Sequence, residues 1–308
     1  MKYRLNHTTT YEYEVPVLHG RHVVRKRPRT LSFQKVMQSS LSVVPQPVWC
    51  ENGVDYFGNY VDTIEVIEPH ERLVVTAQSE LEIGPWLVDT SHSLFQRSWE
   101  SVRDRLRTDP SCFEVREMSL DSPVVRRHSR LAAFGQTTFA PGRPLLAAVL
   151  EFNQRIYEEF TYDPSFSDVA TPVSQVLQEK RGVCQDFAHV AVGVLRSLGL
   201  SARYVSGYLE TIPPAGKARL VGADASHAWA SVYFPDFGWL PFDPTNNVLP
   251  GERHVVVAWG RDFSDVSPLR GVVHGGGRHT VQVAVDVEPV GQPLRPSTPV
   301  AAPADEHI

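Results

Sequence analysis

Along residues 1–87 apolar and polar positions change over in short runs and show no recurrence every three or four residues. Thr8–Val15, Leu41–Val44, Val61–Val66 and Leu73–Ala77 are rich in Val, Thr, Tyr and Ile, and Pro, Gly and Asn break them at turn-like intervals. Tyr56-Phe57-Gly58-Asn59 marks a bend. The pattern predicts an N-terminal β domain over 1–87, a small sandwich or partly closed barrel. The period then changes. Leu94–Leu106 and Pro144–Phe160 carry apolar residues three and four apart, as in Leu145, Leu146, Val149, Leu150, Ile156 and Phe160, which predicts helices. Between 161 and 250 helix and strand signals alternate, and strand-like runs return at Val255–Trp259 and Thr280–Val287, separated by Gly275-Gly276-Gly277. Residues 88–288 are therefore taken as a second unit, a helical connection leading into a mixed α and β domain. The stretch 289–308 is rich in Pro and Ala without a large apolar face, and disorder is expected there.

A chain of 308 residues, 42% apolar and 21% charged, can bury a substantial core in two domains, which sets aside wholesale disorder. A net charge of −5 argues against a general nucleic-acid binder. The basic run Arg21-His22-Val23-Val24-Arg25-Lys26-Arg27-Pro28-Arg29 reads as a basic edge strand or loop, because its surroundings are not basic. The opening MKYRLNHTTTYEYEV lacks the apolar core of an export signal, and no run of about 18 apolar residues occurs. A cytoplasmic protein without membrane partners is expected. Cys50, Cys112 and Cys184 are odd in number and widely spaced, which is no disulfide framework and suits a reducing compartment.

Phe187, Val190, Ala191, Val194, Leu195 and Leu198 predict a helix over about 184–198, with Gly199 where a left-handed residue would end it. Arg203–Tyr208 reads as the following strand. Cys184 then falls in the helix's first turn, where unpaired N–H groups and the dipole favour an anion and lower a thiol pKa. Free cysteine is also a common buried filler, so position alone leaves both readings open. A thiolate nucleophile needs a histidine and a group to orient it. His189 is excluded, since five residues on in one helix it sits about 140° around. The same geometry excludes a zinc site from this pair, and no metal site is expected.

Asp224-Ala225-Ser226-His227-Ala228-Trp229 opens a strand that runs to Phe234. Pro235-Asp236-Phe237-Gly238 is a turn signal, and Trp239–Thr245 returns. Pairing Phe234 with Trp239 would put Asp243 on the face away from His227. Pairing Tyr233 with Trp239 across a five-residue loop puts Asp243 opposite Trp229, with His227 its diagonal neighbour. The second register, or a bulge with the same effect, is predicted. A helix-borne cysteine followed by a histidine and an aspartate on adjacent strands then makes a Cys-His-Asp constellation.

Three motifs, Arg181-Gly182-Val183-Cys184-Gln185-Asp186, His227-Ala228-Trp229 and Gly238-Trp239-Leu240-Pro241-Phe242-Asp243-Pro244-Thr245, resemble in this order those of the transglutaminase-like superfamily of papain-like thiol enzymes. Ala202–Tyr208 is similar to the family's strand between cysteine and histidine. The stretch through Arg27-Pro28-Arg29 and Asp55–Asn59, with His254–Gly271, resembles a bacterial subgroup that carries an N-terminal β domain. The resemblance implies an α+β fold: a β-sandwich-like N-terminal domain, then a transglutaminase-like catalytic domain whose helix-borne cysteine packs on an antiparallel sheet. It implies Cys184 as nucleophile, His227 as general base and acid, and Asp243 as orienter. Tyr162, Gln185 and Trp229 are further candidates for the oxyanion site and substrate groove, Tyr162 with a core tyrosine as its alternative. Such an enzyme would pass through an acyl-thioester and, as in bacterial relatives described as cysteine proteases, hydrolyse an amide or peptide bond in a peptide or protein substrate. An amine acceptor would instead make it a protein-glutamine gamma-glutamyltransferase, and a non-catalytic peptide-binding module is the reading from another class. No cofactor is expected, and no acidic cluster reads as a calcium loop.

Overall fold

The structure, a computed structural model, describes residues 1–85, 93–168, 170–211 and 225–290. The expected disorder beyond 290 lies outside the described residues. The N-terminal strands are β1 (Lys2–Val24), β2 (Gln34–Val44), β3 (Trp49–Val54), β4 (Tyr60–Val66) and β5 (His70–Ile83). Helices α1 (Trp99–Thr108), α2 (Ser129–Gln136) and α3 (Leu145–Glu159) follow. Then come β6 (Thr161–Tyr162), α4 (Val173–Glu179), β7 (Arg181–Gly182) and α5 (Cys184–Ser197). The last described elements are β8 (Ala202–Leu209), β9 (Ala225–Phe234), β10 (Gly238–Phe242), β11 (His254–Gly260), α6 (Phe263–Val266), β12 (Leu269–Gly275) and β13 (His279–Pro289).

β1 explains the N-terminal architecture. Its first half, up to Tyr13, lies between β5 and β13; its second half, from Gly20, lies between β4 and β12, with an irregularity between Glu12 and Val17. The two halves enclose one apolar cluster in which Val43, Leu73 and Val75 meet Ile64, Val66 and Leu269. This is a sandwich-like body built around a shared, bent strand. The strands β12 and β13, grouped by sequence with the second unit, complete this sheet. Their alternation marks them as strands, but only the pairing with β1 decides which sheet receives them.

The basic run is not an edge. Arg21–Val24 pairs on both sides, with β4 and β12. Beyond it Arg25 pairs with Asp55 and Arg27 with Asp62, while Lys26 is buried and donates to Thr9 Oγ1 (2.7 Å) and the Val75 carbonyl (3.0 Å). Its charges are used inside the domain.

The second unit carries a four-stranded antiparallel sheet in the order β10-β9-β8-β11. One face bears Ala228, Ala230, Val232, Leu240 and Phe242 and shares a single apolar core with α5. Every residue of α5 from Asp186 to Arg196 is buried, so the helix is a central strut and not a surface one. It ends where predicted. Gly199 has φ of +84°, and the Leu200 N–H reaches back to the Leu195 carbonyl at 2.9 Å. Tyr3, Leu5, Leu81, Ile83, Val285 and Val287 join the same core, which welds the N-terminal sheet to the helical unit.

Candidate active site

The start of α5 is held by its own first turn. Asp186 Oδ2 accepts the Val183 N–H at 2.8 Å and the Ser167 hydroxyl at 2.5 Å. A Cβ on residue 182 would sit 2.6 Å from that oxygen, so the position demands glycine. Cys184, half-buried, is the first helical residue. The N–H groups of Cys184 and Gln185 belong to the turn that has no helical carbonyl to bond, at the positive end of the dipole. Just before it, β6 pairs with β7 in parallel, which sets Tyr162 beside Gly182. Tyr162 is 53% exposed with its ring 6.4 Å from that of Phe187, so it is not a core tyrosine. Its hydroxyl lies within the field of Cys184, which with burial raises its pKa.

The hairpin has the predicted register: Tyr233 pairs with Trp239, and the ladder extends one pair further to Phe234 and Gly238. The loop is therefore three residues, Pro235–Phe237, closed by Asp236 at φ of +73° and Gly238 at φ of +103°. Continued past Phe242, this register brings the Asp243 carboxylate to the histidine. His227 Nε2 lies 2.8 Å from Asp243 Oδ2. With Nε2 so engaged, Nδ1 is the ring nitrogen left for the neighbouring Cys184 thiol, which helps to raise the pKa of His227. The structure thus brings Cys184, His227 and Asp243 together, half-buried at the cysteine and fully buried at the carboxylate.

Asp243 is held more firmly than the motif alone foretold. Its Oδ1 accepts the N–H groups of Thr245 (2.9 Å) and Asn246 (3.3 Å), and its Oδ2 also accepts Asn246 Nδ2 (2.7 Å) and His254 Nε2 (3.2 Å). The Gly251 N–H donates to His254 Nδ1 at 3.4 Å, which leaves the proton on Nε2 for the carboxylate. Neither His254 nor Asn246 was among the sequence candidates. The signal for Asn246 is local, an Asp-Pro-Thr-Asn turn whose backbone folds back on its own aspartate. For His254 no local signal exists, because β11 reaches Asp243 only through the sheet.

Trp229, a candidate for the groove, is only 1% exposed. It stands behind the histidines, its ring 6.0 Å from His227 and 5.4 Å from His254. Its strand alternation does match that of His227, but loop 29–34 of the N-terminal domain covers that face of the sheet. Gln185 is half-buried next to the cysteine. His189 is buried in packing, with its Nε2 accepting the Phe263 N–H at 3.2 Å. Among the described residues, His227, Asp243 and His254 form the group whose ligand atoms, all within 4.8 Å of one another, could hold a metal ion. In this structure those atoms bond to each other.

Burial works against an imidazolium at His227, but the hydrogen bonds and negative charge of Asp243 and Cys184 outweigh it and raise the pKa to about 10. Burial likewise opposes the Asp243 carboxylate, yet the bonds from His227, His254 and Asn246 hold it well below the ordinary carboxylate range. His254 is lowered by burial, which its bond to Asp243 only partly offsets, so it stays neutral. Because the folded-state pKa of His227 is raised, the stability its imidazolium adds is fully present below about 6.5. That stability is lost as the pH rises through about 10. An NMR titration of the His227 ring should find its midpoint near pH 10, and Asp243→Asn should bring it down by roughly one to three units. A wild-type midpoint at the ordinary histidine value would contradict this electrostatic account.

Comparison with known proteins adds family and fold. Residues 132–244 match the transglutaminase-like superfamily, and residues 3–82 match the bacterial transglutaminase-like N-terminal region. An uncharacterized protein of Mycobacterium tuberculosis is 37% identical over 298 residues, covering 94% of this chain and 93% of its own length. A protein-glutamine gamma-glutamyltransferase of Pseudomonas aeruginosa is 30% identical over 149 residues, which is 44% of this chain and 22% of that protein. Among solved structures, a candidate cysteine protease from Cytophaga hutchinsonii superposes with a TM-score of 0.73 over 97% of this chain and 93% of that one, at 20% identity. At that identity the likeness is one of fold: an N-terminal β region followed by a mixed unit with its antiparallel sheet.

Proposed function

Since this chain belongs to the transglutaminase-like superfamily, we propose that it is a thiol-dependent enzyme that cleaves amide or peptide bonds through Cys184, His227 and Asp243. One observation carries the reading: beside a cysteine at a helix start stands a histidine whose Nε2 is held 2.8 Å from a buried aspartate. With the imidazole protonated and the sulfur as thiolate, Sγ attacks the substrate carbonyl carbon. Charge moves to the carbonyl oxygen, to which the first-turn N–H groups of Cys184 and Gln185 donate, with the Tyr162 hydroxyl as a further donor. His227 Nδ1 gives its proton to the leaving amine as the C–N bond breaks, and an acyl-thioester remains on Cys184. Water then attacks, passing a proton back to His227 and releasing the acid. Transfer to an amine is the second reading, supported by the similarity to the gamma-glutamyltransferase. Peptides or proteins are the proposed substrates in both.

Competitive alkylation tests the thiol. Cys50 is the exposed cysteine, and its pKa is raised by partial desolvation and by the charge of Asp62, so accessibility and activation point to different residues. At about pH 6–7, where an ordinary thiol is protonated, iodoacetamide should label Cys184 faster than Cys50 as read by mass spectrometry. Equal or slower labelling of Cys184 would sink the enzyme reading. Peptide-library incubation with and without a primary amine then separates the two reactions: new carboxyl termini support hydrolysis, and amine adducts alone replace it with transfer.

A further inference from the structure

The sheet face turned away from α5 closes against loop 29–34 of the N-terminal domain. Gln34 pins that loop. Its Nε2 donates to the carbonyls of Arg29 (2.7 Å) and Val256 (2.8 Å), and its Oε1 accepts the Val256 N–H (2.9 Å). The Arg29 N–H also reaches the Val256 carbonyl, at 3.1 Å. Between loop and sheet lies a cavity of about 150 Å³ whose walls include Phe33, Arg203, Trp229, Trp239, His254 and Trp259. That is the size of a cavity that takes up benzene, at the junction of two domains where ligand sites concentrate.

One wall does not suit an empty apolar space. The Arg203 guanidinium carbon lies 4.5 Å from the centre of the Trp239 ring and 3.8 Å from that of Trp259. Its Nε is buried without a hydrogen-bond partner, and among the described residues the guanidinium forms no ion pair. A second guanidinium, that of Arg29, sits 3.6 Å from the same Trp259 ring, and its own bonds go to neutral oxygens, the Phe57 carbonyl and Asn59 Oδ1. Two half-buried guanidinium groups thus share one indole, and among the described residues Arg203 has no ion-pair partner. Such a charge is costly unless an anion meets it. Aromatic stacking holds the planar fork in place but satisfies none of its five N–H donors.

We propose that this cavity is a binding site for a compact organic carboxylate, its two oxygens taken side by side by Arg203 and its apolar body by the Trp and Phe walls. Burial and the charge of Arg29 press the Arg203 pKa well below its ordinary value, and an anion in the cavity would relieve both. The occupant would lie one side chain from Asp243, because His254 is both a wall of the cavity and a donor to that carboxylate. The site stands apart from the proposed reaction and is tested by binding alone.

The carboxylate can come from a free small acid or from a peptide C-terminus. The test uses benzoate with benzamide as its neutral isostere, and a short peptide ending in phenylalanine with its terminus free or amidated. Binding is read from the fluorescence of the wall tryptophans and from the thermal midpoint. Benzoate or the free peptide should bind saturably and at least tenfold more tightly than its neutral counterpart, whichever of the two binds identifying the source. Arg203→Met should lose that preference while keeping the wild-type rate of Cys184 alkylation. Equal binding of charged and neutral probes to the wild-type protein, or no binding of either acid at millimolar concentration, would overturn the proposal even if the variant failed to fold.

Discussion

His227→Ala is expected to slow peptide cleavage by about 10³–10⁴-fold, the joint loss of thiol activation and of leaving-group protonation. The alanine leaves α5 and its first-turn N–H groups intact, so the residual rate is that of a poorly ionised thiol beside a working oxyanion site. Cys184→Ala should remove covalent turnover altogether and abolish formation of the acyl-enzyme by mass spectrometry. Asp243→Asn should fall nearer to His227→Ala than to wild type. An amide at this position presents N–H groups where Asp243 Oδ2 now accepts from His227 and His254, and the imidazole is then driven to the tautomer that cannot take the thiol proton. A drop of less than about tenfold in the histidine variant, with circular dichroism unchanged, would remove His227 from the mechanism.

The largest expected loss of stability is at Arg196→Leu, far from the chemistry. Arg196, 1% exposed in the last turn of the buried helix α5, donates to the carbonyls of Met118 (2.8 Å), Ala202 (2.9 Å) and Arg261 (2.7 Å) and to the Ser122 hydroxyl (3.1 Å). These bonds tie the connection before α2, the start of β8 and the turn after β11 to one side chain. Leucine fills part of the volume but strands three buried carbonyls. Hydrogen bonds to a charged donor contribute about 1.5–3 kcal/mol each, and breaking such a buried network costs about 3–5 kcal/mol. Against a typical total of about 5–15 kcal/mol, the thermal midpoint should fall by roughly 10 °C. A shift of a degree or two in a thermal scan would mean that the carbonyls find other partners.

How much of this was legible beforehand differs from element to element. The helix over 184–197 was readable because its apolar spacing, Gly182 before it and Gly199 after it are all local. The hairpin register was readable for the same reason. Strand alternation allows only one parity that places Asp243 on the histidine face, and Pro-Asp-Phe-Gly supplies the turn that sets it. Trp229 was misplaced because alternation says which residues share a face but not what covers that face. Of the basic run expected as an edge strand or loop, Arg25–Arg29 is a loop but Arg21–Val24 is an inner strand, because charge signals exposure only until a partner is known, and Asp55, Asp62, Thr9 and the Val75 carbonyl supply partners from elsewhere in the domain.

By itself, then, the sequence determined the pieces of the candidate site: a cysteine at a helix N-terminus, a histidine and an aspartate on one face of a hairpin, and a β domain ahead of them. Each follows from contacts a few residues apart, where backbone periodicity and turn chemistry leave few alternatives. Only the tertiary structure decided that β12 and β13 return to β1, and that His254 and Asn246 hold the aspartate. It alone decided that loop 29–34 roofs a cavity with the Arg203 guanidinium stacked in its wall. Those arrangements depend on which distant strands pair, a choice made by the whole buried core, and no local pattern in the chain records it.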